Sequence, residues 1–504
     1  ISITINVEEG QPYTVTAVTL EGEYLGKEED FKTLVAVKPG EPYRAETVTN
    51  TTRAFVERFG TFGYAFARVE PRTDIDRAKG RVAVALVADP QRRVYVRRIN
   101  VAGNSRTRDE VVRREFRQFE SGWYDGAKIK LSRDRVDRLG YFKDVAIDSA
   151  EVPTAQDQVD LTINVTEKPT GNLLLGAGYS SADKLAITAS IRQDNVFGSG
   201  NYLGLELNTS KSTRTISLST VDPYFTIDGV SRALEMYYRT SRPVNSQGEQ
   251  YELVTPGASI RFGIPFSEYD TVFLGLGAEQ TEIRGDVNLP ANYFNYRYSF
   301  GAYSLSVPIT LGWSRDARDS AIAPSAGRYM RLNLEWGIAG DTRYARANAQ
   351  AQQYIPLGPK FTLGLNAEIG WGLGLQGRPY PVFKNFYGGG LGTVRGFDQG
   401  SLGPPDVLGG YIGGNRRLNL NSELYVPVPG SGNDRSLRMF GYIDAGNVWG
   451  EWESVTVQSL RASVGVGLSW ISPVGPLKLS WGTPVHKLPG DRIVRLQFQI
   501  GSAF

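Results

Sequence analysis

The chain contains no cysteine and a single histidine, His486, among 504 residues. No disulfide framework can form, and no thiol or mixed Cys/His metal site can be assembled. A Cys–His nucleophile pair is excluded, and any Ser–His–Asp triad would depend on His486, which falls in a predicted loop between the last two strands. Long apolar runs are also missing, so no helix could cross a bilayer, and no charged-then-apolar leader opens the sequence. Charge of one sign is scarce. The 56 Lys and Arg nearly cancel the 53 Asp and Glu, leaving +3, which gives no broad basic field for nucleic acid. What is abundant is glycine, 57 residues, with 26 Tyr, 22 Phe and 8 Trp. That composition suits a β-barrel, where only alternate residues meet lipid and mean hydropathy stays low.

From about residue 170 a period of two recurs. Leu203, Leu205 and Leu207 alternate with Gly204, Glu206 and Asn208. Leu332, Leu334 and Trp336 alternate with Arg331, Asn333 and Glu335. The run Phe361, Leu363, Leu365, Ala367, Ile369 alternates with Thr362, Gly364, Asn366, Glu368, Gly370. Such strands have one apolar and one polar face. A soluble sandwich alternates too, but no helical pattern is visible after residue 170 to build a second layer. Aromatics (Tyr237, Tyr238, Trp313, Trp371, Trp470, Trp481) are expected near strand ends as an interfacial girdle. The closing strand should carry Val494, Leu496, Phe498, Ile500 and Phe504 on one face, with Arg495, Gln497 and Gln499 on the other. Short turn-rich connections near 198–200, 222–229, 264–269, 314–327, 355–360, 427–435 and 472–476 alternate with connections of another kind, several of them long and polar, the longest at about 372–415. Seven short turns separate eight hairpins, so the expectation is a sixteen-stranded antiparallel transmembrane β-barrel over 169–504.

The first 168 residues show helical segments, Ala45–Phe59 and Arg108–Phe119, and a repeat. Segment 13–22 matches 94–103 at an offset of 81, as Val15/Val96, Val18/Ile99, Leu20/Val101 and Gly22/Gly103. A unit reading strand–helix–helix–strand–strand is expected at 11–89 and again at 90–168. Its last strand occurs a third time: Ile3–Val7 matches Leu161–Val165, and Val82–Val87 holds the same place. Residues 1–10 are therefore expected to be the last strand of an earlier repeat, with further repeats and a leader upstream.

No catalytic, cofactor or metal site is legible. Asp316 and Asp319 lie with Arg315 and Arg318 in a turn, and Gly388–Gly390 lacks the strand-to-helix context of a phosphate loop. One constellation stands out. Val394, Arg395, Gly396 and Phe397 lie inside the longest connection, and loops of that length are usually functional. An arginine inside a barrel needs carboxylate partners. Glu423 and Asp444 sit on predicted strands beside apolar Leu424, Ile443 and Ala445, which puts both on the lumen face.

Together these features resemble the BamA family, a POTRA–β-barrel superfamily whose members insert outer-membrane β-barrels. The resemblance covers essentially the whole chain and includes Asp222–Phe225, Gly441–Gly446, Ser472–Trp481 and the ending Phe498–Phe504. It implies that the repeats are POTRA modules in the periplasm, and that Arg395 locks to Glu423 and Asp444. It also implies an outer-membrane location, no enzymatic activity, unfolded β-barrel clients, accessory BAM lipoproteins, the lipid bilayer as a further partner, and no nucleic acid. Glu120 matches a family position near an accessory lipoprotein. The loop signature is shared with two-partner secretion transporters and the TamA translocation factor, so a polypeptide-secretion pore is the alternative. To insert another barrel, a closed one must expose an edge. The seam between first and last strands, with Asn172, Gly176, Gly178, Gly501 and Phe504, is the expected gate.

Overall fold

The computed structural model describes residues 11–242, 251–267, 269–285, 289–320, 323–358, 360–406, 410–428, 436–472 and 475–501. The expectations placed on residues 1–10 and on Phe504 lie outside these. The chain divides into two compact units. One holds residues 1–170 with 197–200, and the other holds 171–196 with 201–504.

The first unit contains the two expected modules. Module one comprises β1 (Thr14–Gly22), α1 (Glu28–Lys32), α2 (Ala45–Thr61), β2 (Arg68–Asp76) and β3 (Arg81–Asp89). Module two comprises β4 (Tyr95–Ala102), α3 (Asp109–Arg113), α4 (Gly126–Arg138), β5 (Phe142–Val152) and β6 (Ala155–Glu167). The sheets run β1-β3-β2 and β4-β6-β5, each with its first strand parallel to its central one. Helix α2 buries Val48, Thr51, Phe55 and Phe59, a three-then-four spacing that marks one helical face. It packs on β3, whose Val82, Val84, Leu86 and Ala88 are buried while their neighbours are not. Truncating Phe55 or Phe59 to alanine would cost about 3–5 kcal/mol. The helix expected over Arg108–Phe119 is shorter. It ends at Arg113 because the hydroxyl of Ser132, on α4, accepts the Arg117 amide at 2.8 Å, an amide that a continuing helix would point at its own carbonyls.

The second unit is a closed antiparallel barrel of sixteen strands. In chain order these are β7 (Gly171–Ser180), β8 (Lys184–Gln193), β9 (Tyr202–Thr209), β10 (Thr213–Asp222), β11 (Ser231–Ser241), β12 (Glu252–Pro265), β13 (Asp270–Arg284), β14 (Tyr303–Asp316), β15 (Gly327–Gly340), β16 (Tyr344–Pro356), β17 (Thr362–Gly374), β18 (Arg416–Pro427), β19 (Leu437–Trp449), β20 (Arg461–Ser472), β21 (Gly475–His486) and β22 (Leu496–Gly501). Strand β22 pairs with β7 and closes the ring. The apolar set of each strand faces outward, so Leu203, Leu205, Leu332, Ile369 and Trp371 are exposed to the bilayer. The polar set faces the lumen and bonds to itself, as in Gln350–Asn366–Asn421. Among the described residues no helix is long and apolar enough to cross a membrane.

Several local expectations are corrected. A helix does occur after residue 170: α5 (Ala291–Phe300) lies between β13 and β14, burying Tyr293 and Tyr296 against Tyr251 and Leu253. Its aromatic-rich sequence has almost no one-sided apolar stripe, so periodicity could not reveal it. Tyr237 is not part of a girdle. It sits mid-strand, faces the lumen, and donates its hydroxyl to Glu279 at 2.8 Å. Trp481 is also mid-strand, though it faces outward. The last strand is broken at Arg495: Val494 pairs with Gly396 of the long loop, so it leaves the barrel face that Leu496 occupies. His486 is the final residue of β21, with Nδ1 2.6 Å from the carbonyl of Leu460.

Candidate functional site

The connection between β17 and β18, residues 375–415, packs against the lumen faces of the strands. It carries Val394–Phe397, and all four residues are buried. Arg395 is 2 % exposed. Its Nε and Nη2 donate to the two oxygens of Asp444 at 2.7 and 2.6 Å, and its backbone amide donates to the same carboxylate at 3.0 Å. Its Nη1 donates to Glu423. The guanidinium lies 3.6 Å from the ring centroid of Tyr442, so one flat face is covered while each of its three nitrogens donates to a carboxylate. This is the arrangement expected from the sequence: β18 supplies Glu423, β19 supplies Asp444, and the loop supplies the cation between them.

The carboxylates are themselves held. Asn421 donates to Asp444 at 2.8 Å and to the Thr393 carbonyl at 2.6 Å. Lys478 on β21 reaches Glu423 at 3.1 Å, and the Tyr425 hydroxyl donates to it as well. A buried arginine with one counter-ion would be costly; with two carboxylates and a lysine nearby the local charges balance, two positive against two negative. Asn421, Tyr442 and Lys478 escaped the sequence reading. Their signal was present, since all three fall on lumen-facing positions of alternating strands, but alternation does not say which lumen residues meet.

The loop also touches the closing strand. Gly396 and Phe397 pair with Val494 and Ile493. The Gly396 amide donates to the Gln497 side chain at 3.3 Å, and Gln497 donates back to the Phe397 carbonyl at 2.6 Å. Gln497 belongs to β22, one of the two strands that meet at the seam.

At that seam, among the described residues, Gln499, Ile500 and Gly501 of β22 face Ser180, Tyr179 and Gly178 of β7, and the Ser181 amide donates to the Phe498 carbonyl at 3.0 Å. Gly501 has φ +92, and a Cβ there would lie 2.4 Å from the Ala177 carbonyl oxygen, so glycine is required for β22 to approach β7 this closely. Of the other seam positions expected from sequence, Gly178 is in the contact, while Asn172 and Gly176 pair only with β8 among the described residues.

Glu120 follows the short helix α3 and lies at the edge of module two's sheet. Its carboxylate accepts the Ile99 amide of β4 at 2.8 Å and lies 3.5 Å from Arg113. The side chain is half exposed, so one face remains available.

Comparison with known proteins places these features. Residues 195–504 match the Omp85 superfamily domain, and residues 13–90 and 94–168 each match the POTRA model, described as a surface antigen variable number repeat. The chain is 35% identical, over its full length, to the outer membrane protein assembly factor BamA of Neisseria meningitidis serogroup B, covering 68% of that protein. It is 28% identical over its full length to the BamA of Nitratidesulfovibrio vulgaris, covering 64% of it. The chain thus spans about two thirds of the length of these curated relatives. The crystal structure of BamA from Haemophilus ducreyi lacking POTRA domains 1–3 superposes with a TM-score of 0.83 at 27% identity, covering 97% of this chain and 100% of that one.

Proposed function

The chain belongs to the Omp85 superfamily, within the BamA family of outer-membrane assembly factors, and from that premise we propose that it folds and inserts β-barrel proteins into the outer membrane through the seam between β7 and β22. It acts without enzymatic chemistry, with its POTRA modules in the periplasm. Unfolded barrel chains are its clients.

The observation that carries this reading is the seam itself: the first and last strands of the barrel meet there, and β22 comes so close to β7 that a Cβ at Gly501 would lie 2.4 Å from the Ala177 carbonyl oxygen. Parting these two strands would free an edge. In lipid an unpaired edge is costly, because no water satisfies its amides and carbonyls. A client strand that adds to the freed edge of β7 removes that cost, which is the logic of β-augmentation. The lumen loop, fixed by Arg395 and touching β22 through Gln497, is suited to hold the closing strand in register between such events.

The test uses the absence of native cysteine. Tyr179→Cys and Ile500→Cys lie opposite one another, so the pair would form a bridge that staples the seam. Under oxidation, insertion of newly made barrels into the outer membrane should stop, and reduction should restore it. Full activity with the seam locked refutes the mechanism. Depletion separates this function from a dedicated polypeptide exporter: an assembly factor lowers many outer-membrane proteins, an exporter only its cargo. We further assign the exposed face of Glu120 to an accessory lipoprotein. Glu120→Gln should weaken co-purification of that partner while leaving the barrel folded, and unchanged co-purification would leave the residue as a structural brace of β4.

A further inference from the structure

The long loop carries a second buried cation whose role differs from that of Arg395. Lys384 sits in a single helical turn, Val382–Lys384, near the start of the loop. Its ammonium lies 2.5 Å from Glu279 on β13 and 2.9 Å from Glu335 on β15. Both carboxylates are held from behind: Tyr237 on β11 donates to Glu279 at 2.8 Å, and Tyr344 on β16 donates to Glu335 at 2.5 Å. The turn is pinned further by Tyr380, whose hydroxyl donates to the Lys384 carbonyl at 2.8 Å, and by Tyr293 of α5, which donates to the Val382 carbonyl at 3.2 Å.

Two cations eleven positions apart on one loop thus each join a pair of carboxylates, but on different walls. Lys384 binds the β13–β15 wall and Arg395 the β18–β19 wall. The next two residues, Gly396 and Phe397, meet Ile493, Val494 and Gln497 beside the seam. A loop fastened at only one end could follow β22 when the seam opens. A loop fastened at both ends resists that movement, because displacing Gly396 and Phe397 with β22 would pull against Lys384.

We propose that Lys384 is a positioning residue, a far-wall anchor that makes the lumen loop a strut and sets how firmly β22 is held at the seam. Removing its charge leaves Glu279 and Glu335 close together on one wall of the lumen, each with a tyrosine donor, and like-charged carboxylates repel. The start of the loop is then released, and the restraint on Gly396 and Phe397 weakens. The inference deepens the seam mechanism proposed above, but its readout is seam pairing rather than insertion, so either can fail alone.

The experiment is hydrogen exchange on the full chain in lipid nanodiscs, following peptides that cover 378–389, 390–398, 496–501 and the β16–β17 ladder. Lys384→Met should speed exchange in both 390–398 and 496–501 by about tenfold or more, as expected for a local opening that has lost a buried ion pair. The β16–β17 ladder should be unchanged. Lys384→Arg keeps the charge and should restore native exchange, which a simple packing role would not do. In a Lys384→Met/Gln497→Leu chain the two effects on 496–501 should be non-additive, because both act on one path. Native exchange at 496–501 in a folded Lys384→Met chain overturns the proposal. So does acceleration confined to 378–389, which would make the lysine a local fastener. If Lys384→Met fails to assemble, Lys384→Met/Glu335→Gln, which removes the carboxylate repulsion, carries the same expectation and the same refutation.

Discussion

Replacing Arg395 with methionine isolates the contribution of its guanidinium to the lumen lock. The side chain stays long and apolar, but Asp444 loses the two charge-assisted bonds at 2.7 and 2.6 Å. It keeps the backbone amide of residue 395 and the Asn421 side chain, so it is not stranded. Glu423 loses one donor and keeps Lys478 and Tyr425. Breaking a buried ion pair by deleting one partner costs about 3–5 kcal/mol. The donors that remain on Asp444, itself 0 % exposed, place this case near the lower end. At 1.36 kcal/mol per factor of ten, about 3 kcal/mol is on the order of a hundredfold rise in the population of undocked loop. Hydrogen exchange over 390–398 should rise accordingly. Glu423→Gln retains the shape and two donors and should loosen the loop by only about 1 kcal/mol, roughly fivefold. The order is therefore Arg395→Met well above Glu423→Gln. If exchange in Arg395→Met stays within about twofold of the native chain, or if Glu423→Gln loosens the loop as much, then the cluster does not hold the loop and the assignment fails.

Other consequences concern backbone and pH. Gly396 has φ +86, and a Cβ there would lie 3.5 Å from Ser463 Cβ, an ordinary contact, so Gly396→Ala tests backbone strain alone. It should lower the midpoint of barrel unfolding through a loss of about 1–2 kcal/mol, whereas Gly441→Ala, where a Cβ meets nothing within 4 Å, should be neutral in the same heat-modifiability assay. In module two, burial of Glu167 opposes its ionisation, but hydrogen bonds from Thr107, Ser105 and the Arg106 amide outweigh this and hold its carboxyl below the usual carboxylate range. A lowered value means that its stabilisation is present above the ordinary value of 4.5 and is lost as pH falls through the lowered one. Exchange over 104–108, corrected for intrinsic rate, should therefore rise on acidification from about pH 6 to about pH 3, and Glu167→Gln should flatten that dependence. An unchanged slope in the variant would assign the acid sensitivity to other groups.

The barrel was legible because alternation and turn chemistry are local. Leu203, Leu205 and Leu207 announce a membrane-facing strand without knowledge of any neighbour, and each short turn marks a hairpin. The repeat was legible because Val15/Val96 and Gly22/Gly103 recur at one offset. The lock was half legible: Glu423 and Asp444 betray a lumen face through their apolar neighbours, but only the family pattern joined them to Arg395. What escaped depended on distant partners. Helix α3 stops early because Ser132 intercepts the Arg117 amide. Lys384 gave no signal because its carboxylates lie 49 and 105 positions away in the chain, on strands that nothing in its own neighbourhood specifies. Val494 was assigned to the barrel because the period of two runs through Arg495, and periodicity cannot register that a strand changes partners halfway.

The closing strand is also tied from inside. Gln497 of β22 donates to the Phe397 carbonyl at 2.6 Å, and two residues earlier Arg395 is fastened to Asp444 on β19 and Glu423 on β18. The loop therefore acts as a guy rope that runs past β20 and β21 and ties the closing strand to strands three and four places back along the wall. Whatever moves the rim of the barrel at β22 is felt at β18 and β19 without passing through the strands between.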